Sequence, residues 1–178
     1  MTGTAAALYL LIAMAFVSIP TVRARYGARA QAAAEAELDR QGVPTTVLAE
    51  NKLRFDAGGH ETAVPVGVAL TLAVLAALNL TGNAWGETLS WIVLPVVLLG
   101  NVPVLHSRLT AVRTVQAHFA KSGDASLQRI DVVALLDAAE KAFPSWVLPG
   151  LQNVRHAVVM AGSSALLVLL ALARPRES

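Results

Sequence analysis

Four stretches of this chain, Ala5–Val22, Ala63–Leu80, Leu89–Leu105 and Ala157–Ala173, are apolar and contain no Lys, Arg, Asp or Glu. The charged residues gather in the segments between and around them. At 1.5 Å per helical residue each stretch extends about 26 Å, enough to cross a hydrocarbon core near 30 Å when aromatic and Arg side chains anchor its ends. The pattern predicts an all-α integral membrane fold. A single membrane domain covers 1–178, with four transmembrane helices and helical cytosolic extensions in 23–62 and 106–156.

The connecting segments carry their own signals. Ala28–Arg40 is so rich in helix formers that the first helix is expected to run on past the apolar stretch, until Gly42 and Pro44 stop it. Within 43–62, Thr46–Asp56 is compatible with a short helix or a small hairpin turning at Glu50–Lys52, but its apolar residues fit neither period cleanly and the segment is expected to be irregular. Pro65 falls in the first turn of the second membrane helix, where its missing N–H costs little. Pro95 and the run Gly100–Pro103 are expected to kink the third helix, which then continues to Lys121. Ser122–Asp124 breaks it, and Asp124 or Ser126 can cap a further helix to Phe143. Val132, Leu135, Leu136, Ala139 and Phe143 form an apolar face there, and Pro149 is expected to open the last helix. Ser18–Arg25 (SIPTVRAR) and Asn101–Arg108 (NVPVLHSR) align Pro with Pro and Arg with Arg. That register is compatible with a duplicated helical hairpin, and convergent use of Pro and Arg at helix ends explains it as well.

Composition supports the membrane reading, since 55% hydrophobic and 15% charged residues would leave a soluble domain short of polar cover. A net charge of +2, dispersed along the chain, leaves no nucleic-acid footprint. No cysteine is present, which rules out disulfides, thiolate nucleophiles and Cys-ligated clusters. Abundant Ala, Val, Leu, Gly and Arg suggest a high-GC bacterial genome, and hence the bacterial cytoplasmic (inner) membrane. Met1–Thr4 lacks the basic residues of a signal-peptide n-region, so the first apolar stretch reads as an uncleaved helix. Lys and Arg concentrate in 23–62 and 106–156 and are absent from Thr81–Thr88, which predicts a multi-pass topology with both termini outside. Arg174 and Arg176 are the exceptions. Trp85 and Trp91 then mark the outer interface, and Tyr26 and Trp146 the inner one.

Candidate chemistry is sparse. His60, His106, His118 and His156 show no metal-ligand spacing, and they read as interfacial residues, with His106 and His156 able to approach if their helices pack. No cofactor or metal is expected. Asn101, beside Pro95 in the kinked helix, is the best intramembrane polar candidate, and an interhelical hydrogen bond is its simplest role. Gly162, Ser163 and Ser164 would let another helix approach closely. No nucleophile elbow surrounds the serines, so no catalytic residue is assigned. Arg23, Arg25, Arg29, Arg108, Arg113 and Arg155 form a basic collar suited to anionic membrane lipids.

These features favour a non-catalytic accessory or interaction subunit of a larger bacterial membrane complex, a transporter or envelope machinery. Its expected partners are membrane lipids and either another membrane protein or further copies of itself. The alternatives are a membrane-embedded enzyme acting on a lipid or quinone, and a small carrier or channel formed by a homo-oligomer around Thr71, Asn79 and Asn101.

Overall fold

A computed structural model describes residues 3–56 and 58–173, which contain helices and no strand. The helices are α1 (Gly3–Arg40), α2 (Thr46–Glu50), α3 (His60–Leu80), α4 (Ala84–Leu109), α5 (Ala111–Lys121), α6 (Ala125–Gln128), α7 (Val132–Lys141) and α8 (Gln152–Ala173), with a π-helical segment at Trp146–Leu151 before α8. Four of them are long and apolar enough to cross a bilayer, α1, α3, α4 and α8, as the sequence pattern predicts. The protein is an all-α membrane protein. The chain forms two compact units, one from 3–20, 59–105 and 151–173, the other from Thr21–Gly58 and His106–Gly150.

The first unit packs its four helical segments around Tyr9 and Ile12 of α1, Leu72 and Leu75 of α3, Leu94 and Val97 of α4, and Val159, Leu166 and Leu170 of α8. Its outward side chains are apolar too: Met14, Leu70, Val96, Leu99 and Leu172 are all exposed. Helices that are hydrophobic all round need an apolar solvent, which a bilayer provides. Lipid tails are as apolar as leucine, so these helices associate through close packing rather than through escape from water. Gly162 shows the fit. A Cβ at that position would lie 3.0 Å from Cγ1 of Ile12, so the missing side chain is what lets α8 approach α1. Gly86 does the same in the α3–α4 hairpin, where a Cβ would lie 2.9 Å from the Asn79 backbone nitrogen.

The second unit buries a stripe of α1 at helical spacing, Ala30, Ala34 and Leu38, with Val47 and Leu48 of α2, Phe119 of α5, Leu127 of α6, and Val132 and Leu135 of α7. A strap of irregular chain, 53–56, crosses α1 and is pinned by two residues eight apart on one helix face. Arg23 donates to the carbonyl oxygens of Arg54 (2.7 Å) and Phe55 (3.4 Å), and Gln31 Oε1 accepts from the Phe55 N–H at 3.2 Å. Between them lies Gly27, where a Cβ would stand 2.7 Å from Asp56 Cα. Farther along, Gln41 exchanges two hydrogen bonds with the Asp131 backbone, at 2.8 and 3.3 Å.

The connections depart from the sequence reading in four places. Residues 43–62 are not wholly irregular, because Thr46–Glu50 closes one helical turn that buries Val47 and Leu48. The third helix does not reach Lys121 unbroken. Thr110 separates α4 from α5, and its N–H and its hydroxyl both bond back to the His106 carbonyl, at 3.0 and 2.9 Å. The helix expected to follow Ser122–Asp124 is two, with Asp124 capping α6 through the Ser126 N–H and Asp131 capping α7 through the Ala134 N–H. Pro149 lies within the π-helical segment and α8 begins at Gln152. Proline has no N–H to give the helical ladder, so the backbone widens there before regular bonding starts. Pro20, Pro95 and Pro103 all lie inside continuous helices. The two aligned proline–arginine runs also part company: α1 remains one helix to Arg40, whereas α4 ends at Leu109.

Candidate functional site

Polar side chains inside an apolar unit are costly unless they find partners, so they mark the places where it has something specific to hold. The described residues of the first unit bury six, Asn79, Ser90, Asn101, Arg155, His156 and Ser163, and Tyr9 adds a hydroxyl.

Tyr9, Asn79 and Ser90 join three helices. The Tyr9 hydroxyl of α1 donates to Ser90 Oγ of α4 at 2.6 Å, and Asn79 Nδ2 of α3 donates to the same oxygen at 3.1 Å. Ser90 Oγ in turn donates to the Gly86 carbonyl at 2.6 Å, and Asn79 Nδ2 reaches the Leu75 carbonyl at 2.8 Å. A serine hydroxyl has one proton and two lone pairs, so Ser90 is saturated. The group is a lock between helices. The close approach at Gly86 brings Asn79 into range, which ties the lock to a glycine four residues before the serine.

A second polar group lies along the inward stripe of α8, where Arg155, His156, Gly162 and Ser163 are all buried. Asn101 of α4 is 3% exposed, and its Nδ2 lies 3.3 Å from His156 Nδ1. With the amide nitrogen toward the ring, Nδ1 accepts in the tautomer that carries its proton on Nε2. Arg155, 9% exposed, places its guanidinium 5.8 Å from the centroid of the Phe16 ring, within cation–π range. Asn101 Oδ1 and Ser163 Oγ make no hydrogen bond. This second group therefore keeps hydrogen-bonding capacity that the first has spent.

The residues singled out by sequence separate accordingly. Asn101 meets His156, with Pro95 half-buried in the same helix between core Leu94 and exposed Val96. Gly162 and Ser163 face inward, whereas Ser164 is exposed. Of the basic collar, Arg23 holds the 53–56 strap, Arg25 sits over the Tyr26 ring at 5.8 Å, and Arg29 and Arg113 are exposed. Arg108 is half-buried in the last turn of α4, and Arg155 is buried. His156 departs from the interfacial expectation by being buried in the first unit. His106 and His118 are exposed in the second unit, and His118 Nε2 donates to Asn51 Oδ1 at 3.1 Å. His60 is the first residue of α3, and Arg174 and Arg176 lie outside the described residues. Among the described residues, no three His, Asp or Glu side chains gather in a metal-sized group.

Sequence reasoning missed the Tyr9–Ser90–Asn79 lock. Its signal was available in part, since Tyr9 is the one hydroxyl-bearing aromatic within an apolar stretch and buried tyrosines find partners.

Outside the apolar stretches the charged groups pair locally. Arg40 and Gln41 hydrogen-bond to Glu37 and hold its carboxyl at about 2, below the usual 4.5. Arg54 lowers Asp56, and Asp137 raises Lys141 through an ion pair of 2.6 Å.

No protein-family model, curated protein or solved structure matches this chain.

Proposed function

We propose that this chain is a non-catalytic accessory subunit of a larger bacterial inner-membrane complex, a transporter or envelope machinery, and that it offers its second unit as the contact domain. The observation that carries this reading is that unit itself. The segments between the apolar helices condense around a core of their own and hold every described Lys and Arg except Arg155. A chain needing only to connect helices has no use for a separate core. The saturated lock around Ser90 supports the same reading, since it commits intramembrane polar groups to packing.

The distribution of Lys and Arg supports placing the second unit in the cytosol, with both termini outside. On the natural cysteine-free background, Thr81→Cys is expected to label from outside and Ser122→Cys from the cytosol. Labelling of Thr81→Cys from the cytosol would overturn the orientation. The subunit reading is tested by purifying the tagged full chain from its native membrane in mild detergent. A second membrane chain in fixed stoichiometry is expected. A homo-oligomer that runs alone with a bound small molecule would refute it.

The group at Asn101 and His156 favours a second reading, a membrane-embedded enzyme on a lipid or quinone, because it combines an imidazole with a buried guanidinium and unspent hydrogen-bonding capacity. In that case His156→Ala abolishes the cellular phenotype while the protein still folds. Full complementation by His156→Ala removes the enzyme reading. A carrier built from several copies would require Asn101 to line a path between chains, and Asn101→Leu would then block transport.

A further inference from the structure

A polar face runs from the end of α4 across Thr110 and along α5. His106, Thr110, Arg113, Thr114, His118 and Lys121 recur at helical spacing across the end of α4 and along α5, and with Ala117 they line one open groove of about 510 Å³ in the second unit. Two permanent cations and two imidazoles thus share a single face. Three features make the groove selective for negative charge. From Thr88 to Gly123 the chain has no Asp or Glu. The nearest carboxylate along the chain, Asp124, is already committed to the Ser126 N–H and hydroxyl as the cap of α6. Asn51, which reaches the groove from the turn after α2, is neutral and fixes the His118 ring through its Oδ1. The two threonines add hydroxyls between the cations.

We propose that this groove binds the phosphate of an anionic phospholipid headgroup. The occupant follows from the position of the groove along α4. His106 directly follows Leu105, the last residue of the apolar stretch, in the same continuous helix. The polar face thus begins at headgroup depth, the level at which a lipid phosphate is found, and Arg113 and Lys121 extend it along α5. The inference concerns the membrane contact of the second unit and holds whether or not the protein is an accessory subunit.

The test uses the full chain in nanodiscs of phosphatidylcholine with a minor fraction of phosphatidic acid, and counts retained phosphatidic acid by native mass spectrometry. The double variant Arg113→Gln/Lys121→Gln is expected to lower retention roughly 30-fold, about fivefold per lost charge. The control Arg129→Gln/Lys141→Gln removes two exposed cations of the same unit outside the groove and is expected to change retention less than about twofold, which only a localised site predicts. All four side chains are exposed, so both variants are expected to fold, and thermal melts verify this. Equal losses in the two variants, or none in the groove variant, would overturn the site. Excess soluble glycerol phosphate separates the sources of phosphate. Retention that survives it supports a lipid, and complete displacement would assign the groove to a free phosphomonoester and overturn the lipid.

Discussion

Leucines fill the cores of both units, yet their surfaces are opposites. Among the described residues, the large exposed hydrophobics belong to the first unit except for Leu109, Val133 and Trp146. The second unit instead displays charge over a core that reads like that of a small soluble helical domain. The difference teaches what holds each together. In water, the second unit gains about 25 cal/mol for each Å² of apolar surface it buries. In a bilayer, the first unit gains almost nothing from burial as such and relies on close packing and interhelical hydrogen bonds. That accounts for where the buried polar side chains are found, and for the glycines at the helix contacts.

Truncation of a core leucine should expose this contrast most clearly. Leu135→Ala in the second unit is expected to cost about 2–5 kcal/mol, from lost transfer energy plus a cavity. Leu166→Ala in the first unit is expected to cost distinctly less in lipid, because unassociated helices keep the leucine in an apolar medium. Unfolding of the two variants in bicelles, read by hydrogen exchange in each unit separately, measures both. Equal losses would mean that the first unit is held by burial after all.

Glycine substitutions come next. Gly27→Ala forces a Cβ to within 2.8 Å of the Phe55 carbonyl oxygen, and backbone cannot yield cheaply, so a loss of about 1–3 kcal/mol is expected in the second unit. Gly162→Ala meets only the Ile12 side chain, with contacts of 3.0 and 3.1 Å, and is expected to cost less and to be rescued by Ile12→Val. Thermal melts of the single and double variants decide it, and a failed rescue would place the constraint in the backbone of α1.

Single hydrogen bonds are smaller still. Tyr9→Phe removes one bond of the lock and Asp131→Ala removes the cap of α7, each expected to cost about 1 kcal/mol in its own unit. Chemical denaturation of each variant, compared with the parent, checks the pair. A larger loss for Tyr9→Phe would show that Ser90 and Asn79 depend on it cooperatively.

The smallest effect is electrostatic. Glu37 is held at about 2 rather than 4.5, so its contribution to stability is complete above about pH 4.5 and disappears as pH falls through 2. Water screens the pair, because the Arg40 side chain is 68% exposed. The stability difference between Glu37→Gln and the parent should be constant above about pH 4.5 and shrink only as pH falls through that window, and a difference at pH 7 that high salt leaves unchanged would require a contact other than the ion pair.

Much of this was legible in the sequence. The four spans followed from charge-free apolar runs, and the extension of α1 to Arg40 followed from a run, Ala28–Arg40, in which every residue but Asp39 favours helix. The breaks inside 106–150 were harder to place because neither Thr110 nor Asp131 is a glycine or proline that announces a stop, and Asp131 caps α7 through a hydrogen bond three residues away. The candidate site was legible in halves. Asn101 stood out as a lone amide in a span, but His156 looked interfacial because the last apolar run starts one residue after it. Only the packing of α4 against α8 brings the two within 3.3 Å.

The sequence by itself determined that the chain crosses an apolar phase four times and collects its charge between the crossings, because hydropathy and helix length act locally along the chain. Tertiary structure decided which polar groups are consumed and which retain capacity. Ser90 is saturated by partners from two other helices, Arg23 is spent on a strap more than thirty residues away, and Arg113 remains exposed in a groove. Partners of that kind are set by contact between helices, and a linear pattern carries no record of which faces will meet.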